Sequence, residues 1–145
     1  MNKFILNYLG LFFILLSVLS FFNIVYSYYF NLYLNINTYF YTFLISIIIG
    51  LISFFYKSFD SKITIYQKIF AVFIGYILLP LVIAIPIYLS IYNVSFLDCY
   101  FEAISGFTST GFTIFDNIKH IDESLILWRS SSQWIGGIYF LFSIL

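Results

Sequence analysis

Apolar segments of membrane-spanning length take up most of this chain, and they constrain its fold more than any other feature. A transmembrane helix needs about 20 consecutive apolar residues. Four segments reach or approach that length: residues 4–28, 38–56, 70–92 and 125–145. Only 8% of the side chains are charged, whereas soluble domains carry about 25%. The sequence therefore predicts an all-α integral membrane protein. Membrane lipid is then one of its expected partners.

The charges and the single cysteine exclude several functional classes. Six basic and six acidic residues cancel, so the net charge gives no indication of nucleic-acid binding. Cys99 is the one cysteine, which excludes an intrachain disulfide and a multi-cysteine metal cage. Glu102 and the isolated His120 lack the neighbouring acids, histidines or nucleophile that a membrane-embedded enzyme would need. We expect neither an enzyme nor a cofactor.

The lysines predict the orientation of the chain. The first segment follows Lys3 and is longer than the apolar core of a signal peptide, about 7–15 residues, so we interpret it as a retained helix. Cytoplasmic loops carry an excess of positive charge. The loop between the second and third segments has this excess, with Lys57, Lys62 and Lys68 against Asp60. We expect a multi-pass protein of the cell inner (plasma) membrane, with a cytoplasmic N-terminus and residues 93–124 outside.

The outer stretch carries most of the acidic residues. They are Asp98, Glu102, Asp116, Asp122 and Glu123, against Lys119 and His120. Two interpretations stay open: ordinary charges on a loop, or an electronegative vestibule that raises the local cation concentration. Arg129 lies near the outer end of the fourth segment, and a long basic side chain at such a position is expected to snorkel to the interface.

A half-length helix is predicted between the third and fourth segments. The stretch "FLDCYFEAISGF", residues 96–107, has helical propensity, and Ser95 followed by Asp98 is a plausible cap. Its 12 residues rise about 18 Å, which is roughly half of a ~30 Å hydrocarbon core. A helix of this length that enters from outside must end within the membrane and turn back. Its C-terminal dipole end then favours a cation there.

The next segment, "TSTGFT", residues 108–113, combines hydroxyl groups with one glycine. Irregular backbone at membrane depth is tolerated only where it is buried in protein or lines a water-filled path, and rings of backbone carbonyls can replace the hydration shell of K⁺. Gly111 has the conformational freedom to direct successive carbonyls toward one axis. An ordinary extracellular turn is the alternative. Short hydroxyls can support the strand or add oxygen ligands, and they belong to Thr108, Ser109, Thr110 and Thr113.

The stretches "FEAISGFTSTGFT", residues 101–113, and "IDESLILWRSSSQWIGG", residues 121–137, resemble a known family. It is the Trk/Ktr/HKT superfamily of potassium transporters, and in particular the bacterial Trk-type membrane subunit. The positions that match the family's motif are Phe101, Glu102, Ser105, Gly106, Thr108, Thr110, Gly111, Thr113, Asp122, Trp128, Arg129, Gln133, Trp134, Gly136 and Gly137.

The resemblance implies a fold and a way of forming a pore. Residues 1–57 would be two leading transmembrane helices, and residues 58–145 one helix–pore loop–helix repeat of a K⁺ channel-like fold. In such transporters four repeats within one polypeptide surround a single pore, and each repeat contributes one selectivity-filter strand. The resemblance also implies the ligands of the transported K⁺. These are the backbone carbonyls of Ser109 and Thr110, then those of Thr108 and Gly111, with Phe112 and Thr113 adjacent to the filter.

The partners are likewise implied by the resemblance. We expect a homodimer, a cytosolic nucleotide-binding regulatory subunit and no nucleic acid. Because one repeat is present, we expect an N-terminal fragment that needs the three remaining repeats and conducts no K⁺ alone. Two alternatives are a small homotetrameric cation channel and a non-transport membrane packing protein. The single glycine of the filter disfavours the homotetramer.

Three residues depart from the family's pattern. Ser109 replaces a Thr or Val, and because the ligands are carbonyls, Ser109→Thr is expected to be nearly silent. Phe112 replaces an Ala and is expected to narrow or rearrange the outer mouth. Tyr139 stands where the family tends to have a Gly. The larger side chain is expected to oppose close helix packing at that point.

Overall fold

The computed structural model describes residues 3–55, 64–115 and 121–144, and all regular structure in these ranges is helical. The helices are α1 (Lys3–Tyr29), α2 (Ile36–Phe55), α3 (Ile65–Ser90), α4 (Phe96–Phe107) and α5 (Glu123–Ile144), with a 3-10 turn, Tyr33–Asn35, directly before α2. The predicted all-α class is confirmed.

Within these ranges, three helical stretches are long and apolar enough to cross a membrane. They are Ile5–Tyr29, Tyr33–Phe55 and Ile65–Ser90. The last helix, α5, has 22 residues and therefore a length of about 33 Å, but Arg129, Gln133 and three consecutive serines make it less apolar. Three of the four predicted spans are confirmed, and the fourth stays a prediction.

The third helix begins earlier than the apolar pattern predicts. We expected a span from residue 70, whereas α3 begins at Ile65. Thr64 and Gln67 form a reciprocal cap, in which the Gln67 side chain accepts from the Thr64 N–H (3.2 Å) and the Thr64 side chain binds the Gln67 N–H. Such a capping box satisfies two N–H groups that would otherwise lack partners. The T-x-x-Q spacing is typical of a capping box, so the sequence contained a signal for the start of α3 that does not depend on apolar residues.

Helices α1 and α2 form an antiparallel hairpin in which small residues let the two backbones approach closely. A Cβ added at Gly10 would lie 2.8 Å from Cβ of Ser53, and one at Gly50 would lie 2.7 Å from a side chain of α1. The Ser20 hydroxyl donates to the Tyr39 carbonyl across the pair (2.7 Å). Small residues and interhelical hydrogen bonds are the usual basis of helix association in a bilayer.

Two buried prolines, Pro80 and Pro86, lie inside α3, and neighbouring helices supply donors to the turns before them. A proline removes one helical hydrogen bond and displaces the preceding turn. The Tyr100 hydroxyl of α4 donates to the carbonyl three residues before Pro80 (3.1 Å), and Trp128 Nε1 of α5 donates to the carbonyl three residues before Pro86 (3.0 Å). Helix α3 is therefore joined to both α4 and α5.

Tyr139 is buried in a space that a glycine of α3 leaves open. Its hydroxyl donates to the Val72 carbonyl (2.9 Å), and a Cβ at Gly75 would overlap that hydroxyl. The ring packs against Phe12 and Phe107, at centroid distances of 4.6 and 5.3 Å. Close packing of α3 and α5 is thus kept at this point, because the small residue lies on the opposite helix.

The start of α5 is anchored to the leading hairpin. Asn35 Nδ2 donates to Asp122 Oδ2 (2.5 Å), and the Tyr39 hydroxyl donates to Ser124 Oγ (3.0 Å). Asp122 also accepts from the Ser124 N–H (3.1 Å), which caps the helix. These contacts join the two leading helices to the part of the chain that follows α4.

Gly136 and Gly137 of α5 offer a matched test of how closely α4 approaches α5. A Cβ at Gly136 would overlap the carbonyl group of Phe107, whereas one at Gly137 would have no atom within 4 Å. We expect Gly136→Ala to lower the free energy of unfolding by about 1–3 kcal/mol, the usual cost of overpacking. Gly137→Ala should leave it within about 0.5 kcal/mol. Thermal unfolding in detergent would measure both, and equal effects would contradict the packing described.

Candidate functional site

The short helix α4 has the bounds that the sequence predicts. Ser95 is its N-cap, and the hydroxyl of Ser95 accepts from the Asp98 N–H (3.2 Å). The helix has 12 residues and ends at Phe107. One face of its second half is buried, and Glu102 and Ser105 are the polar side chains on that face. The predicted cap and length are confirmed.

The chain leaves α4 through a Schellman turn that has a serine at its left-handed position. The Thr110 N–H donates to the Ser105 carbonyl (3.1 Å) and the Ser109 N–H donates to the Gly106 carbonyl (3.0 Å), which is the bonding pattern of this motif. Ser109 has a φ of 56°, where glycine is the usual residue. This turn ends the helix and reverses the chain.

The conformation of Ser109 gives a reason to revise one expectation drawn from the sequence. Ser109→Thr was expected to be nearly silent because the carbonyl is unchanged. A β-branched residue at a positive φ is a conformational outlier, with a cost on the order of 1–2 kcal/mol. That substitution therefore acts on the backbone that carries the carbonyl, and Ser109→Gly is the change that the turn tolerates best.

Beyond the turn, a return segment, residues 110–115, runs antiparallel along α4. The Ser105 hydroxyl donates to the Phe112 carbonyl (2.6 Å). One turn earlier on α4, Glu102 Oε1 accepts from the Thr113 hydroxyl (3.2 Å) and Glu102 Oε2 accepts from the Ile114 N–H (2.9 Å). The partners on the helix move back from 105 to 102 as the segment proceeds, which establishes its direction.

A buried ion pair supports the return segment from behind. Glu102 is 1% exposed, and its carboxylate forms an ion pair with the guanidinium of Arg129 from α5. Arg129 Nη2 also donates to the Phe112 carbonyl (3.4 Å). A buried charge is tolerated only when it is paired and hydrogen-bonded. The prediction that Arg129 snorkels to the interface is wrong, because its side chain pairs with an acid inside the protein.

The carbonyl groups of the four residues before Phe112 differ from that of Phe112 in their hydrogen bonding. Thr108, Ser109, Thr110 and Gly111 are exposed, and no donor in the described ranges is hydrogen-bonded to their carbonyl oxygens. Gly111 has a φ of 82°, and an added Cβ would meet nothing within 4 Å. Its need for glycine is therefore conformational and not steric.

The hydroxyl groups of Thr108, Thr110 and Thr113 bind two kinds of group on α4, which are side chains and backbone carbonyls. The Thr110 hydroxyl contacts the hydroxyl and the carbonyl of Ser105 (3.2 and 3.3 Å), and the Thr113 hydroxyl binds Glu102. The Thr108 hydroxyl donates back to the Ile104 carbonyl within α4 (2.8 Å). These three hydroxyls thus hold the backbone in place, as one of the two sequence interpretations expected.

An open cavity of about 340 Å³ adjoins the Schellman turn. Its lining combines the exposed backbone of the turn with aromatic side chains and with the glycine pair of α5: Tyr76, Phe107, Thr108, Ser109, Gly136, Gly137 and Phe140. The first two of the four exposed residues before Phe112, Thr108 and Ser109, therefore border open space between α3, α4 and α5.

The predicted outer acids do not act as one group. Glu102 is buried and paired with Arg129, while Asp122 is engaged as a helix cap and with the leading hairpin. Asp98 and Glu123 are exposed. Asp116, Lys119 and His120 lie outside the described residues. A vestibule stays a prediction for the two exposed acids, and the buried Glu102 has a different role.

Sequence reasoning missed the supporting role of three side chains. Glu102 and Ser105 lie three residues apart on α4, and Arg129 is a charge within the fourth predicted membrane segment. Residues three apart share a helix face, and an ionisable residue within a membrane segment is by default a functional candidate with a partner. These signals pointed to a polar face on α4 and to a buried partner for Arg129.

The fold and these contacts define a class before any comparison: an all-helical membrane protein in which a short helix and a return segment expose consecutive carbonyls. No family model and no solved structure matches the chain. Curated relatives do. An uncharacterised cation transporter of Methanocaldococcus jannaschii is 46% identical over 55 residues, which are 38% of this chain and 12% of that protein.

Two further relatives are Trk system potassium uptake proteins. TrkG of Escherichia coli is 34% identical over 64 residues, 43% of this chain and 13% of TrkG. TrkI of Halomonas elongata is 40% identical over 60 residues, 41% of this chain and 11% of TrkI. The predicted resemblance to the Trk-type potassium transporters is confirmed, and the chain spans roughly an eighth of the length of the relatives it matches.

Proposed function

We propose that this chain is part of a Trk-type potassium uptake system and contributes one of four selectivity-filter strands through its backbone carbonyls. The observation that carries the proposal is the run of four exposed carbonyls, residues 108–111, that accept no hydrogen bond from the described part of the chain. Carbonyl oxygens of this kind replace the hydration shell of K⁺ in known filters. The names of the Trk relatives support K⁺ as the transported ion.

The surroundings of the segment support a filter over an ordinary turn. The exposed carbonyls of residues 108–111 follow the C-terminal end of α4, where the helix dipole is negative, which favours a cation. The return segment is held by a buried ion pair and by Ser105. A solvent-exposed turn needs no buried charge behind it, because water satisfies its backbone groups. Ser109 and Thr110 remain the first candidates for K⁺ ligands, followed by Thr108 and Gly111.

The helices take defined parts in this proposal. Residues 1–57 are the two leading transmembrane helices, and residues 58–145 form one repeat, in which α3 is the outer helix, α4 the pore helix and α5 the inner helix. Contacts of α4 with both α3 and α5 support this assignment. The pore would be completed by three further repeats. A homodimer and a cytosolic nucleotide-binding subunit are the partners that the resemblance adds.

The proposal is tested in a host transporter, which is TrkG of E. coli with its aligned segment replaced by that of this chain. In cells that lack their own K⁺ importers, the host should take up Rb⁺ in preference to Na⁺. The 145-residue chain alone should conduct no K⁺ in liposomes, because one strand cannot surround an ion. An inactive host at normal membrane abundance would refute the proposal. K⁺-selective flux from the chain alone would instead favour the homotetrameric channel.

The orientation of the chain can be tested with single cysteines. Lys57, Asp60 and Lys62, on which this prediction rests, lie outside the described residues. Tyr66 and Tyr92, at the two ends of α3, are 84% and 93% exposed. We expect Tyr92→Cys to react with a membrane-impermeant thiol reagent in intact cells, and Tyr66→Cys to react only after permeabilisation.

The native cysteine provides the control for this labelling. Cys99 is buried, so the unsubstituted chain should show little background. Labelling of Tyr66→Cys in intact cells, with protection of Tyr92→Cys, would reverse the orientation. A filter entered from the outside would then be excluded.

A further inference from the structure

The Phe112 carbonyl differs from the four carbonyls that precede it. It accepts from the Ser105 hydroxyl at 2.6 Å and from Arg129 Nη2 at 3.4 Å, whereas the carbonyls of residues 108–111 accept nothing from the described part of the chain. Among the described residues, the consecutive run of carbonyl oxygens without a donor therefore ends at Gly111. The residue responsible for the shorter of the two bonds is Ser105.

Ser105 uses its hydroxyl differently from Ser130 and Ser131, two serines of the neighbouring helix α5. Ser130 and Ser131 of α5 donate to carbonyls of their own helix, four residues earlier, at 3.0 and 2.8 Å. Ser105 is 2% exposed and instead donates out of α4 to the return segment. A hydroxyl has one proton and two lone pairs, so this donation takes the only proton that Ser105 has.

The same hydroxyl lies against both sides of Gly111. It donates to Phe112, the residue after the glycine, and it is 3.2 Å from the hydroxyl of Thr110, the residue before it. Gly111 itself is in open space with a φ of 82°. A Cβ at Gly111 would meet no atom within 4 Å, so side-chain packing does not fix the backbone there, whereas the Ser105 hydroxyl bonds to the residues on both sides of Gly111.

We propose that Ser105 is a positioning residue that sets where the ion-ligand run of this strand ends. Its proton holds the Phe112 carbonyl on the protein side, so that the last oxygen available to a cation is that of Gly111. This inference rests on the proposed function, in which those carbonyls bind K⁺. Without the Ser105 hydroxyl, the Phe112 carbonyl keeps only the longer bond from Arg129, and the peptide group that joins Phe112 to Thr113 can rotate. The number and arrangement of ligands then change.

Ion selectivity in the host transporter is the first test. Ser105→Ala should lower the preference for Rb⁺ over Na⁺ on the order of tenfold, which corresponds to about 1.4 kcal/mol, at normal membrane abundance. Ser105→Thr keeps the hydroxyl and should recover most of the preference. Ser130→Ala is the matched control, because it removes a hydroxyl that binds only its own helix, and it should change nothing. Unchanged selectivity in Ser105→Ala would overturn the proposal.

A second test detects the hydrogen bond between Ser105 and Phe112 directly and does not require transport. The sequence contains two Phe–Thr pairs, Phe107–Thr108 and Phe112–Thr113. Labelling Phe with carbonyl ¹³C and Thr with ¹⁵N therefore gives two carbonyl–amide NMR signals from the purified full chain in detergent micelles. In Ser105→Ala the Phe112 carbonyl signal should move upfield, as expected for a lost hydrogen bond, while the Phe107 signal stays in place.

The two tests separate the possible failures. An unmoved Phe112 signal would show that the Ser105 bond does not hold this carbonyl, which overturns the proposal whatever the host does. A moved signal with unchanged selectivity would overturn the claim that the bond ends the ligand run. If the unsubstituted host shows no K⁺ preference, the proposed function itself fails, and the positioning role of Ser105 in selectivity fails with it.

Discussion

Glu102→Gln is expected to destabilise the protein by about 3–5 kcal/mol, the cost of leaving one member of a buried ion pair without its partner. Glutamine has nearly the same shape and still offers one oxygen to the return segment, so lost packing contributes little. The cost arises because Arg129, whose side chain is 16% exposed, keeps its charge in a site with little water. Thermal unfolding in detergent and the amount of protein in the membrane would measure the effect.

A double-mutant cycle separates this charge effect from other causes. Arg129→Gln alone should be about as harmful as Glu102→Gln, since it leaves the carboxylate unpaired. The double variant should recover a large part of the loss, because two neutral amides no longer oppose burial. Glu123→Gln removes an exposed acid from the first turn of α5 and should change stability by about 0.5 kcal/mol or less. A Glu102→Gln effect as small as this control would contradict the pairing.

Gly111→Ser in the host transporter is expected to lower K⁺ preference over Na⁺ by at least about tenfold, with little change in abundance. A Cβ meets no atom within 4 Å, so the cost is that of a side chain at a φ of 82°, on the order of 1–2 kcal/mol. The strand relieves this cost by turning a carbonyl, and about 1.4 kcal/mol is enough for a tenfold change in relative affinity. Competitive Rb⁺ and Na⁺ uptake would measure it.

Two variants control for this interpretation of Gly111. Gly111→Asn should lose less selectivity than Gly111→Ser, because asparagine visits the left-handed region more readily than other residues. Ser130→Ala removes a hydroxyl that binds only its own helix and should leave selectivity near that of the unsubstituted host. If all three variants behaved alike, the backbone conformation of Gly111 would not be what the filter requires.

The class of protein and the outline of the candidate site depended on local features that a sequence displays directly. Apolar length alone predicts four membrane-length helices, of which three are confirmed, because the length a bilayer requires does not depend on the neighbours of a helix. The Ser95 cap and the bounds of α4 follow from bonds between residues three apart. The conformational need at Gly111 follows from the missing side chain. Each of these properties is decided within a few residues along the chain.

Only the tertiary structure decided which side chains that lie far apart in sequence contact each other. Arg129 pairs with Glu102 because α5 packs against the buried face of α4, and the local sequence around Arg129 does not identify Glu102 as its partner. The same holds for the cavity that Gly75 leaves for Tyr139 on another helix. Ser105 gives its proton to Phe112 because the Schellman turn folds the chain back along α4. Long-range packing selects one of several partners that each side chain could chemically accept, and that selection depends on the approach of whole helices.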